Sequence, residues 1–187
     1  MGKNAKSEDE INLFQIILDQ ADDIDFSDPS KPLSDHIDPT ALKIPGFEVS
    51  KLFAVVYWGL LHSEDEEGFM AGLDMMNMSQ AKKAVNGVFV FNVKPSSESA
   101  GKETVQFYVD MKKEGKIEKG SGPARPKPDC VFTISDRDMI RVALGQLSPQ
   151  VAFMKGKVKV KGNIMLGLRM QTVLMSEVKK MSRVAKL

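Results

Sequence analysis

The chain has 187 residues, 42% of them hydrophobic, which is enough to build the core of one domain with an appendage. A single cysteine, Cys130, excludes an internal disulfide, and no apolar run reaches the ~20 residues needed to span a bilayer. The net charge of +1 hides an asymmetry, because residues 1–47 carry ten acidic residues against four lysines and residues 48–187 therefore carry +7. The chain is an acidic segment followed by a basic body.

The acidic segment contains one predicted helix and a connector. Ser7 and Glu10 form a capping-box pattern, and apolar residues recur behind them at helical spacing, which predicts an amphipathic helix over about 8–21. Four prolines between residues 22 and 46 predict an extended connector. Because the helix has an apolar stripe and a charge opposite to that of the body, we expect it to dock there as a lid. Docking on a second chain and a free tail that binds another protein are the alternatives.

Two helices are predicted ahead of the first strand. Residues 47–62 are apolar on nearly all helical faces, which indicates a deeply buried helix. Trp58 lies in this run and is interpreted as a core residue. A methionine-rich helix over about 69–85 follows and ends at Asn86-Gly87, a good C-cap pair. Gly72 and Asn77 both weaken this helix, and the sequence does not decide at which of them it breaks.

The hydrophobic period then changes from 3.6 to 2, which predicts strands. Hairpins join the first three strands, so these should be antiparallel. Two short helices at about 137–144 and 149–154 separate the fourth strand from the fifth, and a final helix follows. The prediction is an α+β fold in which helices pack on one face of a five-stranded, largely antiparallel (mixed) sheet. The predicted strands span residues 88–93, 105–111, 116–119, 130–134 and 157–161.

The helix caps and the last strand carry the clearest local signals. Ser135 or Asp136 can cap the first short helix, and Ser148 followed by a proline can cap the second. Asn163 can cap the final helix, which should run to about Arg183. In the last strand, valines alternate with lysines, so the valines should face inward and the lysines outward.

The search for catalytic groups is negative. The two histidines, His36 and His62, are not near Cys130 in sequence, and no nucleophile elbow, phosphate loop or dinucleotide fingerprint occurs. One cysteine and two distant histidines give no metal-ligand spacing. Cys130 heads a strand and is interpreted as a small, buried apolar residue. We therefore expect no catalytic residue, no metal and no cofactor.

Apolar side chains are more abundant on the short helices and the final helix than one buried stripe requires. Methionine suits a surface that must repack around different apolar guests. The residues alone leave two interpretations open: the whole set is core, or part of it lines a cavity.

A series of short motifs runs in order through the last part of the chain. The motifs are Asn86–Val93, Asp129-Cys130, Ser135–Asp138, Leu144–Gln150, Ala152-Phe153, Gly156-Lys157, Gly162–Leu166 and Ala185–Leu187. Together they resemble the sterol carrier protein-2 domain, which also occurs as the C-terminal module of peroxisomal multifunctional β-oxidation enzymes. Residues 1–47 have no counterpart in the family pattern. We therefore divide the chain into an N-terminal extension, residues 1–47, and a lipid-binding domain, residues 48–187.

The resemblance implies an apolar lipid tunnel between the sheet and the helices, closed by the C-terminal helix. Gln150 and Gln171 would hold a carboxylate, hydroxyl or thioester oxygen while the walls take the apolar chain. Capping of its own helix terminus is the alternative role for Gln150. At Leu168 the chain departs from some relatives, which have a second glutamine there. The predicted lipid-binding residues are Phe91, Phe132, Gln150, Phe153, Met154, Met165, Leu168, Gln171 and Met175.

The resemblance implies a carrier of fatty acids, fatty acyl-CoA or sterols without turnover of its own. The alternative is a protein-interaction or scaffold module of a β-oxidation system, with a cavity filled by its own side chains. Ala185, Lys186 and Leu187 form a conservative variant of the Ser-Lys-Leu peroxisomal signal. They predict capture by a peroxisomal import receptor and location in the peroxisomal matrix, with a cytosolic fraction.

Residues 155–187 contain nine basic side chains and one acidic residue, Glu177. Most of these cations should form a solvated face. Transient contact with an anionic membrane, or attraction of acyl-CoA phosphates, would use the same charge. Binding of nucleic acid is rejected, because the interleaved residues are Met, Val and Leu rather than exposed aromatics.

Overall fold

The computed structural model describes residues 13–23, 38–66, 72, 74–97 and 100–184. The predicted capping box at Ser7 and Glu10 and the tripeptide 185–187 lie outside these ranges. The helices are α1 (Leu13–Gln20), a 3-10 helix (Pro39–Leu42), α2 (Glu48–His62), α3 (Met78–Val85), α4 (Asp136–Ala143), α5 (Pro149–Met154) and α6 (Ile164–Val184). The strands are β1 (Val88–Lys94), β2 (Val105–Asp110), β3 (Lys116–Lys119), β4 (Cys130–Ser135) and β5 (Val158–Gly162).

The strands form one mixed sheet in the order β3-β2-β1-β4-β5. The pairs β1–β2, β2–β3 and β4–β5 are antiparallel, whereas β1 and β4 run parallel. Parallel pairing requires a crossover, and the segment from β2 to the loop before β4 supplies it. The α+β fold and the mixed, largely antiparallel sheet are confirmed, and each predicted strand end lies within one residue of the observed one.

The two faces of the sheet are covered differently. On β1, Phe89, Phe91 and Val93 face the helices and belong to the main core. Alternate residues of the same strand, with Tyr108, form a smaller cluster on the opposite face. The loop after β3 covers this second face, and a Cβ at Gly122 would overlap the Tyr108 ring. The helices of the main core therefore lie on one face, as predicted.

Helix α2 is held at its N-terminus by a buried carboxylate from a distant part of the chain. The Glu48 N–H and Val49 N–H donate to the Asp136 carboxylate over 3.1 and 2.8 Å. Asp136 is only 2% exposed and is the first residue of α4. A carboxylate at this position satisfies two free N–H groups and complements the helix dipole. Of the two predicted caps of α4, Ser135 makes the capping bond, since its Oγ accepts from the Asp138 N–H over 3.2 Å.

The predicted methionine-rich helix is shorter than expected. Residues 74–77 are not helical, and α3 starts only at Met78, so the prediction was wrong for these four residues. Asn77 and Gln80 form a capping box over 2.8 and 2.9 Å, which fixes the helix start at this point. Of the rest of the predicted helix, only Gly72 is described, and residues 69–71 and 73 lie outside the described ranges.

Helix α1 packs on α2 and α6 of the same chain. Leu18 and the following Ala21 are buried in the main core. The Asp22 carboxylate lies 2.6 Å from the Lys51 Nζ on α2. Docking of the N-terminal helix on the body is therefore confirmed for the described part of that helix, and its action as a lid stays a prediction.

We predict that Asp136→Ala lowers the free energy of unfolding by about 3 kcal/mol, because it leaves buried N–H groups at the start of α2 without their acceptor. Urea unfolding of the two proteins measures the difference. The matched control is Asp74→Ala, which removes an exposed carboxylate and should cost less than about 0.5 kcal/mol. Equal losses in both variants would contradict a special role for Asp136.

Candidate functional site

Five phenylalanines form a continuous aromatic layer between the sheet and the helices; we refer to it as the phenylalanine cluster. Its members are Phe53, Phe89, Phe91, Phe107 and Phe132. The sheet register creates the layer, because Phe91 is paired with Phe107 on one side and Phe132 on the other. The Phe91 and Phe132 ring centroids are 5.1 Å apart at an interplanar angle of 12°. From α2, Phe53 stacks on Phe107 at 4.4 Å and contacts Phe91 at 5.4 Å.

Helix α6 crosses this layer at a glycine. Gly167 is buried directly over Phe132, where a Cβ would overlap the ring. Near the other end of α6, the Glu177 carboxylate accepts from the Met76 N–H over 2.8 Å and lies 3.0 Å from the Lys180 Nζ. The helix is therefore fixed to the body near both ends, by a close approach at Gly167 and by a polar anchor at Glu177.

The side chains of α6 form two stripes along the helix. One stripe packs into the main core and consists of Leu166, Met170, Val173, Leu174 and Val178. The predicted site residues Leu168, Gln171 and Met175 are half-buried and lie outside that core. Their spacing of three and four residues places them on one side of the helix. At the end of this second stripe, Met175 packs against Gly145. A Cβ added at that glycine would lie 2.9 Å from the Met175 Cε.

The structure brings some predicted site residues together and leaves others apart. Phe91 and Phe132 lie in the phenylalanine cluster, and Phe132 lies beneath α6 at Gly167. By contrast, Phe153, Met154 and Met165 are 52%, 84% and 68% exposed, respectively. In the six residues of α5, only Ala152 is buried, so the other side chains of this helix point away from the core.

Gln150 is exposed at the start of α5, and its Oε1 accepts from the Ser148 Oγ over 2.9 Å. Ser148 is the N-cap residue of the same helix, as predicted. The Gln150 side chain thus contacts its own helix terminus in this structure.

The start of β5 is tied to α4 through Asp138. The Lys157 Nζ lies 3.1 Å from the Asp138 carboxylate, which also accepts from the Ser135 Oγ over 3.1 Å. Burial alone would raise the pKa of Asp138, but hydrogen bonds from Lys157 and Ser135 outweigh burial and lower that pKa. The carboxylate is therefore ionised at neutral pH and serves as an anchor between α4 and β5.

The one cysteine of the chain is unreactive, and the described residues offer no metal site. Cys130 is fully buried, and burial, with Asp129 beside it, raises the pKa of the thiol to about 11. The thiol is therefore protonated at neutral pH. Within the described ranges, no group of three His, Cys, Asp or Glu residues is placed to hold a metal ion. None of the helices in those ranges is long and apolar enough to cross a membrane.

Four residues of the site were not identified from the sequence. Phe53, Phe89 and Phe107 complete the phenylalanine cluster, and the meeting of Phe53 with Phe107 depends on how α2 crosses the sheet. Gly167 carried a usable signal, because a glycine inside a strongly helical segment often marks a close approach between elements.

Comparison with known proteins identifies the family. A model described as the SCP-2 sterol transfer family matches residues 72–175. The oleate-induced peroxisomal protein POX18 of Candida maltosa is 33% identical over 133 residues, 71% of this chain and 91% of that protein. The chain belongs to the SCP-2 sterol transfer family. The resemblance inferred from the sequence motifs is thereby confirmed.

Other members support the assignment. A fatty acid-binding protein of Yarrowia lipolytica is 31% identical over 72% of this chain and 94% of its own length. The peroxisomal multifunctional enzyme type 2 of Mus musculus is 37% identical over 92 residues, 49% of this chain and 12% of that protein. Among solved structures, the apo form of Sterol Carrier Protein 2 from Yarrowia lipolytica superposes with a TM-score of 0.58 at 30% identity. That match covers 72% of this chain and 94% of the other. The predicted domain boundary at residues 47/48 stays a prediction, since the family model begins at residue 72.

We predict that Gly167→Ala destabilises the protein by about 1 kcal/mol, although alanine favours a helix over glycine by a similar amount. The reason is that the added methyl group forces α6 or the Phe132 ring to move. Urea unfolding measures the change, and Ser176→Ala, at an exposed position of the same helix, should be neutral or slightly stabilising. A double variant with Phe132→Leu should recover part of the loss. A stabilising Gly167→Ala would show that α6 does not approach Phe132 closely.

Proposed function

We propose that this protein is a lipid carrier without turnover of its own, which binds a fatty acid, a fatty acyl-CoA or a sterol. The observation that carries the proposal is the half-buried second stripe of α6, which follows Gly167, the residue that lies over Phe132, and stays outside the main core. Two of its three residues, Leu168 and Met175, are apolar and would suit an apolar ligand chain that also contacts the aromatic rings. The names of its relatives, a fatty acid-binding protein and sterol carrier protein 2, support the same class of ligand.

In the proposed tunnel, Phe91 and Phe132 form the floor, while Leu168 and Met175 form the wall on α6. Gln171 is the polar group on that wall and would hold the ligand's carboxylate, hydroxyl or thioester oxygen. Gln150 is the second amide of the proposal. Its Oε1 is engaged by Ser148, so that the Nε2 is the atom that would donate to the ligand.

The exposed side chains of Phe153, Met154 and Met165 form the rim of the proposed tunnel. Their exposure suits side chains that become covered only when a lipid enters or leaves. Methionine tolerates this change well, since its unbranched thioether repacks around different guests.

The absence of turnover is part of the proposal. It is supported by the buried, protonated Cys130 thiol and by the structural use of the buried carboxylates. Asp136 holds the start of α2, and Glu177 anchors α6 to Met76. A carboxylate already engaged by backbone N–H groups is a poor general base.

We further propose that the protein acts in the peroxisomal matrix, with a cytosolic fraction. The tripeptide Ala185-Lys186-Leu187 would be captured by a peroxisomal import receptor, and the relative from Candida maltosa is named as a peroxisomal protein. Appending one residue after Leu187 should leave a fluorescently tagged protein in the cytosol. Unchanged peroxisomal import of the extended protein would contradict the assignment.

The proposed function is tested by displacement of a fluorescent fatty acid. We expect saturable binding with a Kd below ~100 μM. Phe153→Ala should cost less than about 1 kcal/mol of stability, because the ring is half exposed, yet weaken the ligand about tenfold. Phe91→Ala should instead cost about 3–5 kcal/mol, because that ring is buried.

The control is Val151→Ala, on the same short helix and also exposed, which should change neither stability nor affinity. Unchanged affinity in Phe153→Ala would remove this ring from the site. If the wild-type protein shows no saturable binding, the proposal that it is a lipid carrier is contradicted. The alternative, a scaffold module whose cavity is filled by its own side chains, would then remain.

A further inference from the structure

One edge of the molecule combines positive charge with exposed apolar side chains. We define the β5 edge as α5, β5 and the first turn of α6, which follow one another along the chain. β5 is the outer strand of the sheet on this side. From residue 145 to residue 176 the chain contains no acidic residue. The cations of this stretch are all exposed and are Lys155, Lys157, Lys159, Lys161 and Arg169. Lys157 is already paired with the Asp138 carboxylate of α4.

The exposed apolar side chains are concentrated at the same edge. Six large hydrophobic side chains are exposed among the described residues, and only Ile16 lies elsewhere. The other five are Val151, Phe153, Met154, Ile164 and Met165. Single exposed apolar residues need no explanation, but five at both ends of one edge strand indicate an interaction surface.

The opposite edge of the sheet provides a contrast. There, the Lys116 Nζ on β3 lies 2.8 Å from the Glu114 carboxylate and 3.5 Å from that of Glu118. Lysines on an edge strand are commonly explained by the need to prevent pairing with other sheets. That explanation applies to both edges. It accounts neither for the absence of acidic residues from 145–176 nor for the exposed apolar residues at the β5 edge.

We propose that the β5 edge is the surface by which this protein docks on a membrane that contains anionic phospholipids. The apolar side chains would enter the boundary between head groups and acyl chains, while the lysines contact the phosphates. Lysine stems are long enough to lie along the apolar surface with their charges at the head groups. The inference rests on the proposed function, because Phe153, Met154 and Met165 are also the rim of the proposed tunnel. A lipid would then pass between bilayer and tunnel without crossing water.

Co-flotation with vesicles tests the proposed surface. The vesicles are phosphatidylcholine alone, or phosphatidylcholine with about one third phosphatidylserine. We expect partition onto the anionic vesicles only. Lys159→Gln/Lys161→Gln should lower that partition about 30-fold, since each lysine near an anionic surface contributes about fivefold. The control, Lys83→Gln/Lys119→Gln, changes the net charge equally at two exposed positions on α3 and β3, and should remain within about twofold of the wild type.

The apolar part of the surface is tested by Ile164→Ser, which should lower partition about tenfold. Ile16→Ser, at the exposed apolar position of α1, is its control and should have no effect. Binding of a soluble fatty acid should be unchanged in all four variants, because none of these side chains belongs to the proposed tunnel. A failure of docking is thereby distinguished from a failure of lipid binding.

Two results would overturn the proposal. One is a wild-type protein that does not float with anionic vesicles. The other is an equal loss in the two lysine variants, which would show that net charge rather than the β5 edge determines binding.

Discussion

The buried carboxylate of Asp136 is the contact on which the arrangement of the helices over the sheet depends. It lies where β4 ends and α4 begins, and it accepts the first free N–H groups of α2, 88 and 87 residues earlier in the chain. This bond sets the start of α2 relative to the sheet. Phe53, a turn and a half further along α2, can then stack on Phe107 and meet Phe91. One carboxylate thus joins the helix layer, the central strand and the fourth strand.

Helix α6 covers the same aromatic layer under a different constraint. A close approach at Gly167 and a polar anchor at Glu177 fix it near both ends. The Leu168–Gln171–Met175 stripe lies between these contacts and is not packed into the main core. A ligand could therefore separate this stripe from its neighbours without breaking either anchor. Helix α1, which belongs to the N-terminal extension, also packs on α2 and α6 and helps to hold α6 in place.

The sheet was predicted well because period-2 alternation and turn residues are local signals. The caps at Ser135 and Ser148 were also predicted correctly, because a cap depends only on residues close in sequence. The start of α3 was left open between Gly72 and Asn77, because the composition of the run favours a helix throughout; the Asn77–Gln80 capping box sets it at Asn77. The phenylalanine cluster could not be predicted in full, because Phe53 and Phe107 meet only through tertiary packing. Phe91 and Phe132 were predicted from the family resemblance, and the exposure of Phe153, Met154 and Met165 was not foreseen from a tunnel described as apolar and closed.

The central claim is that a lipid chain lies between the phenylalanine cluster and the second stripe of α6. Isotope-filtered nuclear Overhauser spectroscopy with a ¹³C-labelled fatty acid tests it most directly. We expect contacts from the acyl chain to the ring protons of Phe91 and Phe132 and to the side chains of Leu168 and Met175. Contacts confined to exposed side chains such as Met154, with none to the two rings, would contradict the claim.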